Sequence, residues 1–159
     1  MVMKERASKA RVLVIDDDEG IRMSLANVLD LKGYQVDVAK DGKEAIAKYK
    51  KHHYDLALID IVLPDMKGTE LLSKMSGGVV DMVKVIVTGY PDLDNAIKSV
   101  NEGADGYVIK PFDVKELLDK VSVLLKKQAE NRKYSEEKVT EYIKERAKQL
   151  SDKKKPKAN

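Results

Sequence analysis

The chain has 159 residues, 43% hydrophobic and 36% charged, with a formal net charge of +3. It contains no cysteine, which excludes disulfides, thiolate metal sites and thiol catalysis, and its two histidines, His52 and His53, are adjacent, as on a solvated helix end. No apolar run approaches the roughly 20 residues that span a bilayer, and the first six residues lack the apolar core of a signal peptide, so a cytoplasmic domain with an appendage is expected.

Strand-like and helix-like segments alternate from residue 11 to residue 128. Arg11 to Ile15 is a continuous apolar run of the kind buried on both faces of a sheet, and Asp16-Asp17-Asp18 follows it. Ile21, Leu25, Val28 and Leu29 recur at helical spacing until Lys32-Gly33 supplies a stop. Tyr34 to Ala39 alternates and suits an edge strand, and Asp41-Gly42 opens a second helix through Ala45, Ile46 and Tyr49. Asp55 to Ile59 is a third strand running into Asp60, followed by turn chemistry from Leu63 to Gly68 and a short helix from Thr69 to Met75, ended by Gly77-Gly78. Val83 to Val87 is a fourth strand running into Thr88-Gly89; Leu93, Ala96, Ile97 and Val100 mark a helix stopping near Gly103. Gly106 to Ile109 is a fifth strand before Lys110-Pro111, and Asp113 caps a helix whose stripe is Val114, Leu117, Leu118, Val121, Leu124 and Leu125.

Five βα units of this length imply a doubly wound α/β fold, with helices on both faces of a five-stranded parallel sheet. The flavodoxin-like order 2-1-3-4-5 fits best, because the second strand alternates most and the central strands are wholly apolar. We divide the chain into an extension (residues 1–10), a globular domain (11–128) and a basic helical tail or linker (129–159). The tail carries ten Lys/Arg against six Asp/Glu, whereas the rest of the chain is nearly balanced. Within it, Ser135 is a candidate N-cap with Tyr134 stapled onto Val139, and Val139, Ile143, Ala147 and Leu150 form a narrow apolar seam over a helix from about 136 to 150, either separate from the preceding helix or continuous with it.

In an open α/β sheet, residues just past the carboxyl ends of the strands share one crevice. Asp16, Asp17, Asp60, Thr88 and Lys110 would meet there. A carboxylate can attack phosphorus to give an acyl phosphate if a divalent cation offsets the repulsion and further donors hold the equatorial oxygens. The three aspartates suit Mg2+ or Mn2+, Thr88 offers a hydroxyl, Gly89 a close backbone approach and Lys110 a positive charge.

Four segments in order, residues 12–19, 57–68, 85–90 and 106–112, give the chain a resemblance to the receiver domain of two-component response regulators, of which the chemotaxis response regulator is a single-domain member. The resemblance covers residues 11–128. It implies that Asp60 accepts a phosphoryl group from a histidine kinase, that Asp17, Asp60 and the Val62 backbone carbonyl ligate Mg2+ directly, with Asp16 acting through water, and that Thr88 and Lys110 read the phosphoryl group. Tyr107 matches the aromatic switch residue. The output would be felt on the face made by the fourth helix, fifth strand and fifth helix, for a protein target, an output domain or a phosphorylation-dependent homodimer. Such a domain is a signalling module that catalyses only its own phosphorylation and slow dephosphorylation. Val62 and Tyr90 are apolar and bulky where the family often has polar residues, and both are expected to slow attack by water. Glu19 and Asp65 read as solvated surface groups. A haloacid dehalogenase-type phosphohydrolase using Asp16-Asp17-Asp18 is the alternative from another class, but it leaves Asp60 without a role and lacks a further acidic pair after Lys110; a phosphorylation-independent docking module is a third reading.

Overall fold

A computed structural model describes residues 10–76, 82–89 and 92–154, the side chains as far as residue 152. The Gly77-Gly78 stop and Tyr90 lie outside the described residues. The elements are β1 (Arg11–Ile15), α1 (Glu19–Leu31), β2 (Gln35–Ala39), α2 (Gly42–Lys51), β3 (Leu56–Asp60), α3 (Gly68–Lys74), β4 (Val83–Thr88), α4 (Leu93–Asn101), β5 (Gly106–Ile109) and α5 (Val114–Lys154). All neighbouring strands pair in parallel in the order β2-β1-β3-β4-β5, the doubly wound arrangement expected from the pattern.

Strand alternation distributes the core to both faces of the sheet. Leu13, Ile15, Ala57, Ile59 and Ile86 pack on one face with Ala45 of α2 and Leu71 and Leu72 of α3. Val12, Val14, Leu56, Leu58, Val85 and Val87 pack on the other with Leu25 and Leu29 of α1 and Leu117 and Val121 of α5. Helix starts follow local chemistry: the side chains of Asp18, Asp41 and Asp92 accept N–H groups in the first turns of α1, α2 and α4, and Asp113 accepts that of Lys115 at 2.8 Å. Gly33 and Gly103 adopt positive φ just beyond α1 and α4.

Two helices differ from the simplest reading. The apolar stripe of α4 faces outward: Leu93, Ile97 and Val100 are exposed, and the buried residue is Ser99, whose hydroxyl donates to the Asn95 carbonyl at 2.7 Å. On β4, Lys84 and Thr88 alternate with the valines of one core cluster and are themselves buried, so this side of the strand is polar at two of its three positions. In the tail, Ser135 caps nothing, because it lies within α5 rather than at a helix start, and Tyr134 is exposed under the Lys138 ammonium, 5.6 Å from its ring centre. The chain divides into two compact units, one ending at Leu125 and the other beginning at Lys126.

Between the amino end of β1 and the middle of β2, Asp37 accepts from the Arg11 guanidinium at 2.8 Å and from the Tyr54 hydroxyl at 2.6 Å, while Arg11 lies 5.2 Å from the Tyr54 ring centre. Burial works to raise the Asp37 carboxyl, but Tyr54 and Arg11 outweigh it and hold it below the usual carboxylate range. A depressed carboxylate contributes stability that is present above its unfolded value of 3.8 and is lost as pH falls through the lower folded value. We expect Tyr54→Phe to cost about 1 kcal/mol in urea unfolding at pH 7, and the difference from the parent to shrink below pH 4 as Asp37 protonates; a difference constant down to pH 2 would refute this coupling.

Candidate phosphoacceptor site

The parallel registers bring the carboxyl ends of four strands to one rim. Asp16 follows the last residue of β1, Asp60 and Thr88 end β3 and β4, and Lys110 follows the last residue of β5. Asp60 stands level with Val87, and Thr88 level with Ile109, so the hydroxyl-bearing residue sits one step beyond the aspartate on the adjacent strand. Asp16, Asp60 and Thr88 are buried, and Asp17 is exposed.

Lys110 joins the two buried carboxylates. Its Nζ lies 2.8 Å from Asp16 Oδ2 and 3.2 Å from Asp60 Oδ2. The second oxygen of each acid is held by backbone: Asp16 Oδ1 accepts from Asp18 N–H at 2.9 Å, and Asp60 Oδ1 from Val62 N–H at 3.2 Å. The Asp16 carbonyl accepts from Arg22 Nη1 at 2.9 Å, which ties α1 to the rim. The Lys110 N–H donates to the Thr88 carbonyl at 2.7 Å, and the Lys110–Pro111 bond is cis.

Burial pushes the Asp60 carboxyl up, and the neighbouring Asp16 charge adds to this against the opposing pull of Val62 N–H and Lys110. Burial acts to lower the Lys110 ammonium, but Asp16 and Asp60 outweigh it and raise its pKa, so it stays charged. Asp16, Asp17 and Asp60 each bring one carboxylate oxygen within 4.8 Å of the others. Three carboxylates facing one ammonium leave an excess of negative charge, and hard oxygen donors in that setting fit a divalent cation of the Mg2+ or Mn2+ type.

Three contributors were not singled out in the sequence. Gly68 crosses β3 so closely that a Cβ on it would lie 2.4 Å from the Asp60 carbonyl oxygen and 2.7 Å from Ile61 Cα, while its N–H donates to the Ile61 carbonyl at 2.7 Å. Asp65, exposed as expected, also accepts the N–H groups of Gly42 at 2.9 Å and Lys43 at 2.8 Å and so ties the loop after β3 to the start of α2. Arg22 is the third. The Pro64-Asp65-x-x-Gly68 turn spacing signals Gly68; nothing local signals the other two, whose partners lie across the fold or along the helix. A Cβ on Gly89 would come no closer than 3.9 Å to Lys110 side-chain atoms.

Tyr107 on β5 is partly buried against the cluster containing Ile86, and its hydroxyl is buried with no hydrogen-bond partner among the described residues. Val62 is half exposed beside Asp60 and forms an antiparallel bridge with Lys67.

Residues 12–122 match the family model described as the response regulator receiver domain. The chain therefore belongs to the response regulator receiver family, signalling domains of two-component systems rather than conventional enzymes. It is 42% identical to a CheY-like receiver domain protein from Methanospirillum hungatei, with a TM-score of 0.75 over 78% of this chain and 99% of that one. It is 35% identical to the response regulator TrrA of Thermotoga maritima, solved with Mg2+ and a beryllium fluoride, with a TM-score of 0.66 over 72% of this chain and 98% of that one. Among curated relatives, the response regulator ArlR of Staphylococcus aureus is 30% identical over 118 residues, 74% of this chain and 53% of ArlR, so the chain spans about half the length of that relative.

Proposed function

We propose that Asp60 is the phosphoacceptor and that this chain receives a phosphoryl group from a histidine kinase or phosphotransfer protein in the cytoplasm. The observation that carries the reading is the ion pairing of Lys110 with both Asp16 and Asp60, with Asp17 completing an acidic cluster. A carboxylate oxygen of Asp60 attacks phosphorus, an O–P bond forms, and the bond to the phosphohistidine nitrogen breaks, that nitrogen leaving with its electron pair. Asp17, Asp60 and the Val62 carbonyl would hold a divalent cation, with Asp16 acting through water, and the cation would supply charge neutralisation between nucleophile and phosphoryl oxygens. Lys110 stays charged and takes an ion pair with the new phosphoryl group in exchange for Asp60, and Thr88 offers its hydroxyl. Val62 and Tyr90 shield the acyl phosphate from water and slow its hydrolysis.

Phosphorylation adds about −1.5 to −2 charges at the rim, and Tyr107 is the element positioned to respond. Its buried hydroxyl has no hydrogen-bond partner among the described residues, so its orientation stands to be biased by a change at Thr88. The readout is the face carrying Leu93, Ile97 and Val100 of α4, Ile109 of β5 and Val114 of α5, all exposed and apolar. Its partner is a downstream protein, an output domain or a second receiver. The family match and the three-carboxylate cluster favour this reading over a dehalogenase-type phosphohydrolase or a phosphorylation-independent docking module.

The test is labelling by acetyl phosphate, in which the acetyl–phosphate P–O bond breaks and acetate leaves. One phosphoryl group per chain, dependent on Mg2+, abolished by EDTA and released by hydroxylamine, is the expected outcome. A chain that stays unlabelled with Mg2+ present is not a phosphoacceptor.

A further inference from the structure

Within α5, Glu136, Val139, Ile143, Arg146 and Leu150 follow one another at spacings of three, four, three and four, the alternation that keeps a single seam on one side of a helix. Val139, Ile143 and Leu150 are exposed, as are Glu136 and Arg146. An apolar seam on a helix is an association surface, and the two charges within it restrict what can be seated there.

A parallel, in-register copy would oppose Glu136 to Glu136 and Arg146 to Arg146, like against like at the centre of the contact. An antiparallel copy opposes each position of one heptad class to the other class. Glu136 then meets the second copy's Arg146, Val139 meets Ile143, and the same layers repeat in reverse order across a two-fold axis. Both seam charges find an opposite charge, and the Arg146 stem covers apolar surface alongside Ile143 and Leu150. The contact is closed at two copies, because each uses the same surface as its partner. We propose that residues 136–150 form a self-pairing surface whose occupant is a second copy of this chain, docked antiparallel. The pairing is independent of the phosphoacceptor chemistry and is expected with the receiver unphosphorylated.

Sedimentation equilibrium of the full chain in EDTA, without a phosphoryl donor, tests this. A reversible monomer–dimer equilibrium is expected, weakened about tenfold or more by I143E. E136R and R146E should each weaken it, and the double variant E136R/R146E should restore it, because an antiparallel pair only exchanges its two charges whereas a parallel pair keeps like facing like. The absence of native cysteine allows a second readout: oxidising an equimolar mixture of V139C and I143C chains should give the mixed disulfide well above the roughly twofold excess over either homodimer that random pairing would produce. A chain monomeric at every concentration, dimerisation indifferent to I143E, a double variant no better than the singles, or predominance of V139C homodimers would each overturn the proposal. Circular dichroism confirms that the helix persists in each variant.

Discussion

Asp60→Asn is expected to bring labelling by acetyl phosphate to background while leaving the protein folded. The carboxamide keeps the shape of the side chain and an oxygen able to accept Val62 N–H, now at 3.2 Å from Asp60 Oδ1, so the β3 end is held as before. What disappears is the proposed nucleophilic oxygen and one of the two negative partners of Lys110. Burial and the Asp16 charge already disfavour the ionised form of Asp60, so neutralising it removes a repulsion, and the thermal midpoint should match or exceed that of the parent near pH 7. The paired substitution Asp16→Asn separates the two candidate nucleophiles. Persistence of labelling in the Asp60 variant with loss in the Asp16 variant would sink the phosphoacceptor assignment.

Gly68→Ala should be the most damaging single-methyl change within reach of the site. The added Cβ would sit 2.4 Å from the Asp60 carbonyl oxygen and 2.7 Å from Ile61 Cα, both backbone atoms that no rotamer change can move aside. Gly42→Ala offers a control, because the nearest atoms its Cβ would meet belong to the flexible side chain of Met66, at 2.5 Å. Relieving the Gly68 contact means shifting either the loop or the end of β3, at a cost of about 3 kcal/mol, or roughly 10 °C in thermal midpoint for a domain of this size. The Gly42 variant should lose no more than about a third of that. Labelling of the folded Gly68 variant should also slow, since the displaced backbone carries Asp60 and Val62. Equal midpoints for the two variants would show that the close approach is not rigid.

How much of this was legible in the residues depends on whether the signal is local. The five apolar runs and the residues that end them are local, so Asp16, Asp60, Thr88 and Lys110 could be placed on one rim once strand order was set, and the order followed from the marked alternation of β2 against the more continuous apolar runs of β1 and β3. Helix starts at Asp41 and Asp113 were equally plain. Helix α4 was legible as a helix, but its periodicity alone cannot say which side turns inward; that depends on the polar side of β4, where Lys84 and Thr88 sit. Ser135 misled as a cap because the sequence signature of a helix start says nothing about whether a helix is already running. Asp65 and Arg22 act on partners no sequence pattern links to them, and Gly68 looked like ordinary turn chemistry until β3 ran beneath it.

The ends of the sheet carry a consequence of their own. A parallel sheet of five strands has two unpaired borders, β2 and β5, and any uncovered row of N–H and C=O groups invites a foreign strand. Here β5 has only four residues and runs directly into Lys110-Pro111, where the proline has no N–H to offer a newcomer. β2 places Asp37 at its centre, committed to Arg11 and Tyr54, so an added strand would have to lie against a charged side chain. Borders built in this way resist templated growth of the sheet by a foreign strand.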